Sequence, residues 1–276
     1  MATSRSKYKK SAVHIILIVG SLVMVGPFIW MLLTSIKTLG EATKVPPVIF
    51  PSKIQWENYV EVFTSLPFTN FYVNTVIMTG GILLGQLMLC SMAGYAFARI
   101  NFPGRNILFI LFLSVLMIPS QAFLIPQYLL MEKIGWLDSL QALITPGVFS
   151  AFGTFLMRQF FMTLPKELEE SARIDGCNHF QIFWKIMLPL AKPGLIALSI
   201  TTVLFSWKSL MWPLIVNNSM EMMPLSAGLA YLKGQHVTDY SILMAGSLLA
   251  LWPVILIFVF LQKHFIEGIT FTGSKG

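Results

Sequence analysis

The stretch SAVHIILIVGSLVMVGPFIWMLLTSI, residues 11–36, decides the class of this chain. It holds no Lys, Arg, Asp or Glu, and Lys37 follows it directly. A bilayer core about 30 Å thick needs roughly 20 apolar residues in a helix, and this run is long enough. Arg5, Lys7, Lys9 and Lys10 precede it. A cleaved leader has a shorter apolar region, about 7–15 residues, closed by small residues. The run therefore reads as a first membrane span that stays in the protein.

The same reading extends along the chain. Further spans are expected at about 71–98, 106–131, 139–157, 193–216 and 241–262. Pro119 and Pro126 fall in the third and Pro253 in the sixth, where proline removes a backbone hydrogen bond and kinks a helix. Lys208 interrupts the fifth. The chain is 55% hydrophobic and only 11% charged, against about a quarter charged in soluble domains. There is too little polar surface to cover a water-soluble body. The expected fold is an all-α, polytopic transmembrane helical bundle of six spans. The membrane-spanning body is expected over 11–262, with tails at 1–10 and 263–276.

The net charge of +7 does not point to nucleic acid, because no basic stripe with interleaved aromatics appears. The Lys and Arg residues lie mostly between apolar runs, where they report orientation. Thirteen fall on the side of the termini and the 158–192 loop, and 6 on the other. That bias places both termini and the loop in the cytoplasm. Residues 37–70 form the largest external segment, and Pro46, Pro47 and Pro51 argue against a long helix there. Cys90 and Cys177 sit at different depths and read as free thiols. His14, His179, His236 and His264 lack metal-ligand spacing. No nucleophile–base pair is evident, so the sequence offers no catalytic or metal site.

The most informative stretch is the loop 164–190, which begins Leu164-Pro165-Lys166-Glu167-Leu168-Glu169-Glu170-Ser171-Ala172-Arg173-Ile174-Asp175-Gly176. Pro165 suits the first position of a helix. Glu167, Glu169 and Glu170 then sit near the positive end of its dipole. Gly176 suits a left-handed helix end, and Asn178 suits the cap of a second short helix. Pro189 is expected to stop that helix before the fifth span. The loop reads as helix, glycine turn, helix. The small Ser171 and Ala172 allow another surface to approach. Either the knob docks into a partner's groove or it is a solvated connector.

The spacing Glu170-Ser171-Ala172, three residues, Gly176, nine residues, Ile186, one residue, Leu188-Pro189 resembles the "EAA" loop of ABC importer permeases. Ser171 stands where that family usually has Ala. The likeness covers nearly the whole chain and is closest to carbohydrate-importer permeases of the maltose type, in the shorter six-span subunit. Trp56-Glu57-Asn58-Tyr59, Asn74-Thr75, Ala93 through Arg99, Phe102-Pro103-Gly104-Arg105, Ile125-Pro126 and the tail from Gln262 also resemble it.

The resemblance implies the ABC importer permease fold, in a bacterial inner membrane, and half of a translocation pathway. It implies a second permease, two ATPase subunits that hydrolyse ATP with Mg, and an extracytoplasmic solute-binding protein. No cofactor is implied for this chain. Glu170, Ser171, Ala172, Asp175, Gly176, Ile186, Leu188 and Pro189 would couple it to the ATPase. A sugar, foremost an oligosaccharide, is the implied cargo, with glycerol phosphate the alternative.

An ion-coupled secondary transporter would show internal repeats and acidic residues within spans, and neither is seen. A non-transporting scaffold or sensor would use the external segment. The tail Gly268 through Lys275 is a near miss for a phosphate loop, but its Ser and Lys are in reversed order and no helix can follow. Four residues are pathway candidates. Asn74 either lines the pathway or bonds a neighbouring helix. Trp207 and Trp212 either stack on a sugar or mark the membrane interface. Lys208, where the resembling family often has Asn, either serves function or snorkels to the interface. Gly81 and Gly85 form a GxxxG that permits close helix packing.

Overall fold

The computed structural model describes residues 2–232 and 238–273. Lys233, His236 and Ser274–Gly276 lie outside the described residues, as do the side chains of both expected tails. Among the described residues every regular element is helical. In chain order these are α1 (Ala2–Ser35), α2 (Leu39–Ala42), α3 (Glu57–Ser65), α4 (Phe68–Arg99), α5 (Arg105–Ser114) and α6 (Leu124–Lys133). They continue with α7 (Leu140–Ile144), α8 (Ala151–Thr163), α9 (Glu167–Ile174), α10 (His179–Ile182), α11 (Leu188–Leu190) and α12 (Lys192–Trp207). Last come α13 (Met211–Val216), α14 (Leu225–Ala230) and α15 (Tyr240–Gly273).

Three described helices are long and apolar enough to cross a membrane, or up to six crossings if each of three bent pairs is one span. The bends have local causes. The pair over Arg105–Lys133 turns by 98° at Ile118-Pro119. Both prolines of this segment were expected to kink it, but Pro126 does not. It is the third residue of α6, where its missing N–H has no intrahelical partner to lose. The pair over Leu140–Thr163 bends by 43° because the helix is capped twice. Ser139 Oγ accepts Ala142 N–H and Ser150 Oγ accepts Gly153 N–H. The expected fifth span is split: α12 ends at Trp207 and α13 begins only at Met211. Pro253 leaves α15 unbroken, and that helix runs through the expected 263–276 tail as far as Gly273.

The chain divides into two compact units, residues 1–66 with 229–252 and residues 67–228 with 253–276. In the first, the end of α1 is tied to α3. Asn58 Nδ2 donates to the carbonyls of Ser35 and Lys37, each at 2.9 Å. Ser35 Oγ and Tyr59 Oη lie 2.8 Å apart. The buried Lys37 donates to Val48 O and covers the Trp30 ring at 4.4 Å. The Trp56-Glu57-Asn58-Tyr59 signature thus holds the 37–66 segment to the first helix.

In the second unit α4 packs against α8 and α12. Small residues set the distances. A Cβ on Gly85 would lie 2.6 Å from Val148 Cβ, and one on Gly94 would lie 2.9 Å from Arg158 N. The GxxxG stripe therefore serves close packing, Gly81 against Ile144 and Gly85 against Val148. Outside the expected spans, Asp138 takes φ +55° and its Oδ1 accepts the N–H groups of Asn218 and Ser219. Burial pushes that carboxyl's pKa up, but these hydrogen bonds together outweigh it and hold it below the usual range.

Gly94→Val is expected to lower the stability of the detergent-solubilised protein by about 1–3 kcal/mol, as overpacking does, read by thermal unfolding. Because the folded pKa of Asp138 is depressed, its contribution is complete above the unfolded value near pH 4. It is lost as pH falls through the folded value. Asp138→Ala is expected to flatten that acid limb in a pH series of melting temperatures.

Candidate functional site

The knob over 164–190 is built as two capped helices. In α9, which opens after Lys166, Glu167, Glu169 and Glu170 occupy the first turn. Pro165 precedes the helix instead of opening it. At the far end Gly176 has φ +84°. Its N–H bonds Arg173 O at 3.0 Å and Cys177 N–H bonds Ala172 O at 2.9 Å. This is the double hydrogen bond of a left-handed glycine stop. Nothing lies within 4 Å of a Cβ placed there, so the backbone angle alone demands glycine.

Asn178 and Gln181 then form a reciprocal cap, with both hydrogen bonds at 2.9 Å. The chain runs on through a wide turn at Phe183–Met187 into α11. Pro189 was expected to end this helix, yet it sits inside α11. A proline cannot bond the carbonyl four residues earlier and crowds it. The wide turn covers that residue, Lys185, and offers the looser pitch that accommodates the ring. The change of direction comes later, a 77° bend between Leu190 and Lys192.

The inner face of the knob joins a core of Tyr95, Phe161, Ala172, Ile182, Phe183 and Met187. Ile186 and Leu188 pack against it. The Tyr95 ring meets Phe161 at 5.7 Å and Phe183 at 5.3 Å. Ala172 is 5% exposed, so its small size serves packing within the chain. The expectation that it joins Ser171 in admitting a second surface is corrected on that ground. Glu170, Ser171, Asp175, Gly176 and Pro189 do lie on the exposed side.

Two features were not singled out from the sequence. The first is Glu169, which is buried and reaches Arg99 Nε at 3.2 Å. Arg173 approaches its other oxygen at 4.0 Å. Arg99 is the last residue of α4, and it also donates to Phe161 O and Leu164 O at the end of α8. Carbonyls at a helix end lack the usual partner four residues on; among the described residues Phe161 O has only the Leu164 N–H at 3.3 Å besides Arg99. One guanidinium therefore joins α4, α8 and α9. The second feature is an exposed apolar face: Ile174 is 87% and Phe180 62% exposed. Its signal was an isoleucine standing among the polar residues at the end of α9.

A cavity of about 550 Å³ lies elsewhere in the same unit, bounded by residues of α4, α7, α12 and α13 and of the segment around Ser120–Gln127. Of the four pathway candidates, Lys208 and Trp212 line it and Asn74 and Trp207 do not. Asn74 Nδ2 instead donates to Glu221 O and Met223 O, so its side chain ties α4 to the 220–223 turn. Trp212 Nε1 donates to Ala142 O at 2.9 Å, which fixes the indole. Lys208 follows α12 directly, and its Nζ lies 4.9 Å from the Phe205 ring centre.

Helix breaks around a cavity of mixed lining and a capped knob between two apolar helices are the arrangement expected of a membrane transport subunit. The profile of the binding-protein-dependent transport system inner membrane component matches residues 86–270, which contain the knob and all of the cavity lining except Met78 and Ile82. The arabinooligosaccharides transport system permease protein AraQ of Halalkalibacterium halodurans is 37% identical over 92% of each chain. That of Bacillus subtilis is 38% identical over 93% of this chain and 92% of the relative. The sn-glycerol-3-phosphate transport system permease protein UgpE of Yersinia enterocolitica is 31% identical over 93% and 94%. A chain from a bacterial ABC transporter involved in the import of the acidic polysaccharide alginate superposes with a TM-score of 0.82. It is 25% identical and covers 95% of this chain and 98% of that one. The protein belongs to the binding-protein-dependent transport system inner membrane component family: it is a multi-pass ABC importer permease, as the EAA-like spacing implied.

Breaking the buried ion pair from one side leaves an uncompensated charge, at a cost of about 3–5 kcal/mol. Glu169→Met and Arg99→Met are each expected to destabilise by that order in chemical unfolding of the solubilised protein. The double variant is expected to lose less than the two singles together.

Proposed function

We propose that this chain forms one half of an ATP-driven pathway for a sugar, foremost an oligosaccharide. It pairs with a second permease, and an extracytoplasmic solute-binding protein delivers the cargo. The chain itself hydrolyses nothing. Two ATPase subunits do so, and one of them takes the 165–189 knob into a cleft. Both termini and the knob face the cytoplasm on this reading, in keeping with the placement of Lys and Arg.

The observation that carries the proposal is the two-sided build of the knob. Its inner side is fixed to α4 and α8 by Arg99 and Glu169. Its outer side presents Ile174 and Phe180 to the surroundings. A solvated connector needs no exposed apolar anchors, whereas a docking surface does. The rigid inner contact lets movement of the ATPases reach the helices. ATP and solute must each favour one of two states for the cycle to run. The relatives named for arabinooligosaccharide transport support an oligosaccharide cargo; those named for glycerol phosphate support the alternative.

Ile174→Asp is expected to weaken retention of the ATPase by about tenfold or more in co-purification. Gly176→Asp is expected to abolish ATP-driven uptake in membrane vesicles, because it adds a charge at the contact and any side chain carries some strain at φ +84°. Wild-type uptake by both variants would falsify the docking role.

A further inference from the structure

The cavity beside Lys208 carries a chemical preference of its own. Its volume of about 550 Å³ falls within the roughly 300–1,000 Å³ of small-molecule sites. Among its lining residues Lys208 is the sole charged side chain, and no carboxylate lines it. Lys208 is also the sole charge between Pro193 and Val216. Lys208 is exposed, so its ammonium is open to a ligand, and a charge within an apolar stretch is by default a candidate functional group. Among the described residues it forms no ion pair.

The other polar groups divide into fixed and available. Gln86 is committed: its Nε2 donates to Gly147 O and its Oε1 accepts from Thr202 Oγ1. Ser206 Oγ bonds back to Thr202 O. Gln127 has no side-chain hydrogen bond among the described residues, and Ser120 has only a 3.5 Å contact with Gln121. Free amide and hydroxyl groups suit a polyhydroxylated ligand. The indole of Trp212, held through its N–H, supplies an apolar wall. A neutral sugar would use all of these and could accept hydrogen bonds from Lys208, but it would leave the positive charge without a counter-charge.

We infer that the cavity binds a polyhydroxylated solute bearing an anionic group, a carboxylate or a phosphate, with Lys208 as its counter-ion. Gln127 and Ser120 bond its hydroxyls and Trp212 packs against a ring face. The inference rests on the permease reading and names the class of cargo. The competing role for Lys208 is local: a cation after the last turn of α12 complements the helix dipole and covers Phe205.

The test is equilibrium binding to the complete transporter in nanodiscs, using trigalacturonate, glycerol 3-phosphate and neutral arabinotriose. The wild type should bind at least one of the two anions about tenfold or more tightly than arabinotriose, as a charge-assisted hydrogen bond provides. Which anion is preferred distinguishes carboxylate from phosphate. The preference should weaken as salt is raised, survive in Lys208→Arg and vanish in Lys208→Met. Equal affinity for neutral and anionic probes in the wild type overturns the inference. So does an anion preference that persists in Lys208→Met. The wild-type comparison and its salt dependence decide the matter even if Lys208→Met fails to assemble. ATP-driven uptake by the same complex is a separate readout: its failure with the anion preference intact would sink the transport reading and leave this site standing.

Discussion

The buried contact between Arg99 and Glu169 is the constraint on which the functional half of the molecule depends. A guanidinium presents several donors in a fixed plane; here they reach the end of α8 from the end of α4, while the charge faces Glu169 of α9. Arg99 ends α4, donates to the carbonyls at the end of α8 and pairs with the first turn of α9. Glu169 Oε1 accepts no hydrogen bond among the described residues, so Arg99 holds it through charge alone, and removing either partner strands a buried charge. The aromatic core around Tyr95, Phe161 and Phe183 covers the same junction. Electrostatic and apolar packing therefore fix one orientation of the knob relative to the helix that carries it. The knob's outer face is left free to make contacts of another kind.

The cavity depends on a different device. Long unbroken helices would fill the interior of this unit with side chains. Instead, breaks fall at Pro119, at the double cap of Ser139 and Ser150, and at Lys208–Leu210. Irregular backbone at membrane depth is tolerated where protein or water satisfies the freed groups. Here side chains do part of that work, since Gln86 covers Gly147 O and Trp212 covers Ala142 O. The breaks open space, and the bonded side chains give it a defined wall. That is why two residues far apart in sequence, Ser120 and Lys208, can line the same volume.

Much of this was legible in the sequence because it rests on local rules. The apolar runs, the glycine stop at Gly176 and the cap at Asn178 each follow from a few neighbouring residues. The glycine stripe at 81 and 85 gave the close approach but not the partner helix. What the sequence hid was tertiary. Glu169 and Glu170 are adjacent acids, and nothing local says that one is buried on an arginine seventy residues earlier. Ala172 looked like a surface residue because its neighbour Ser171 is one. Asn74 looked like a pathway candidate because its backbone acceptors, at 221 and 223, come from a distant turn. Pro126 and Pro189 misled for the opposite reason. Their local rule was sound, but the helix register and the wide turn at 183–187 removed the conflict.

The central claim is that the knob and α4 move as one body through the Arg99–Glu169 junction. Spin labels at Leu84 of α4, which is exposed, and at Asp175, in the assembled transporter, would report their separation by pulsed dipolar spectroscopy. The account requires one narrow distance distribution that is the same with and without ATP. A distribution that broadens or shifts when ATP binds would show the knob swinging free of the helix and would contradict it.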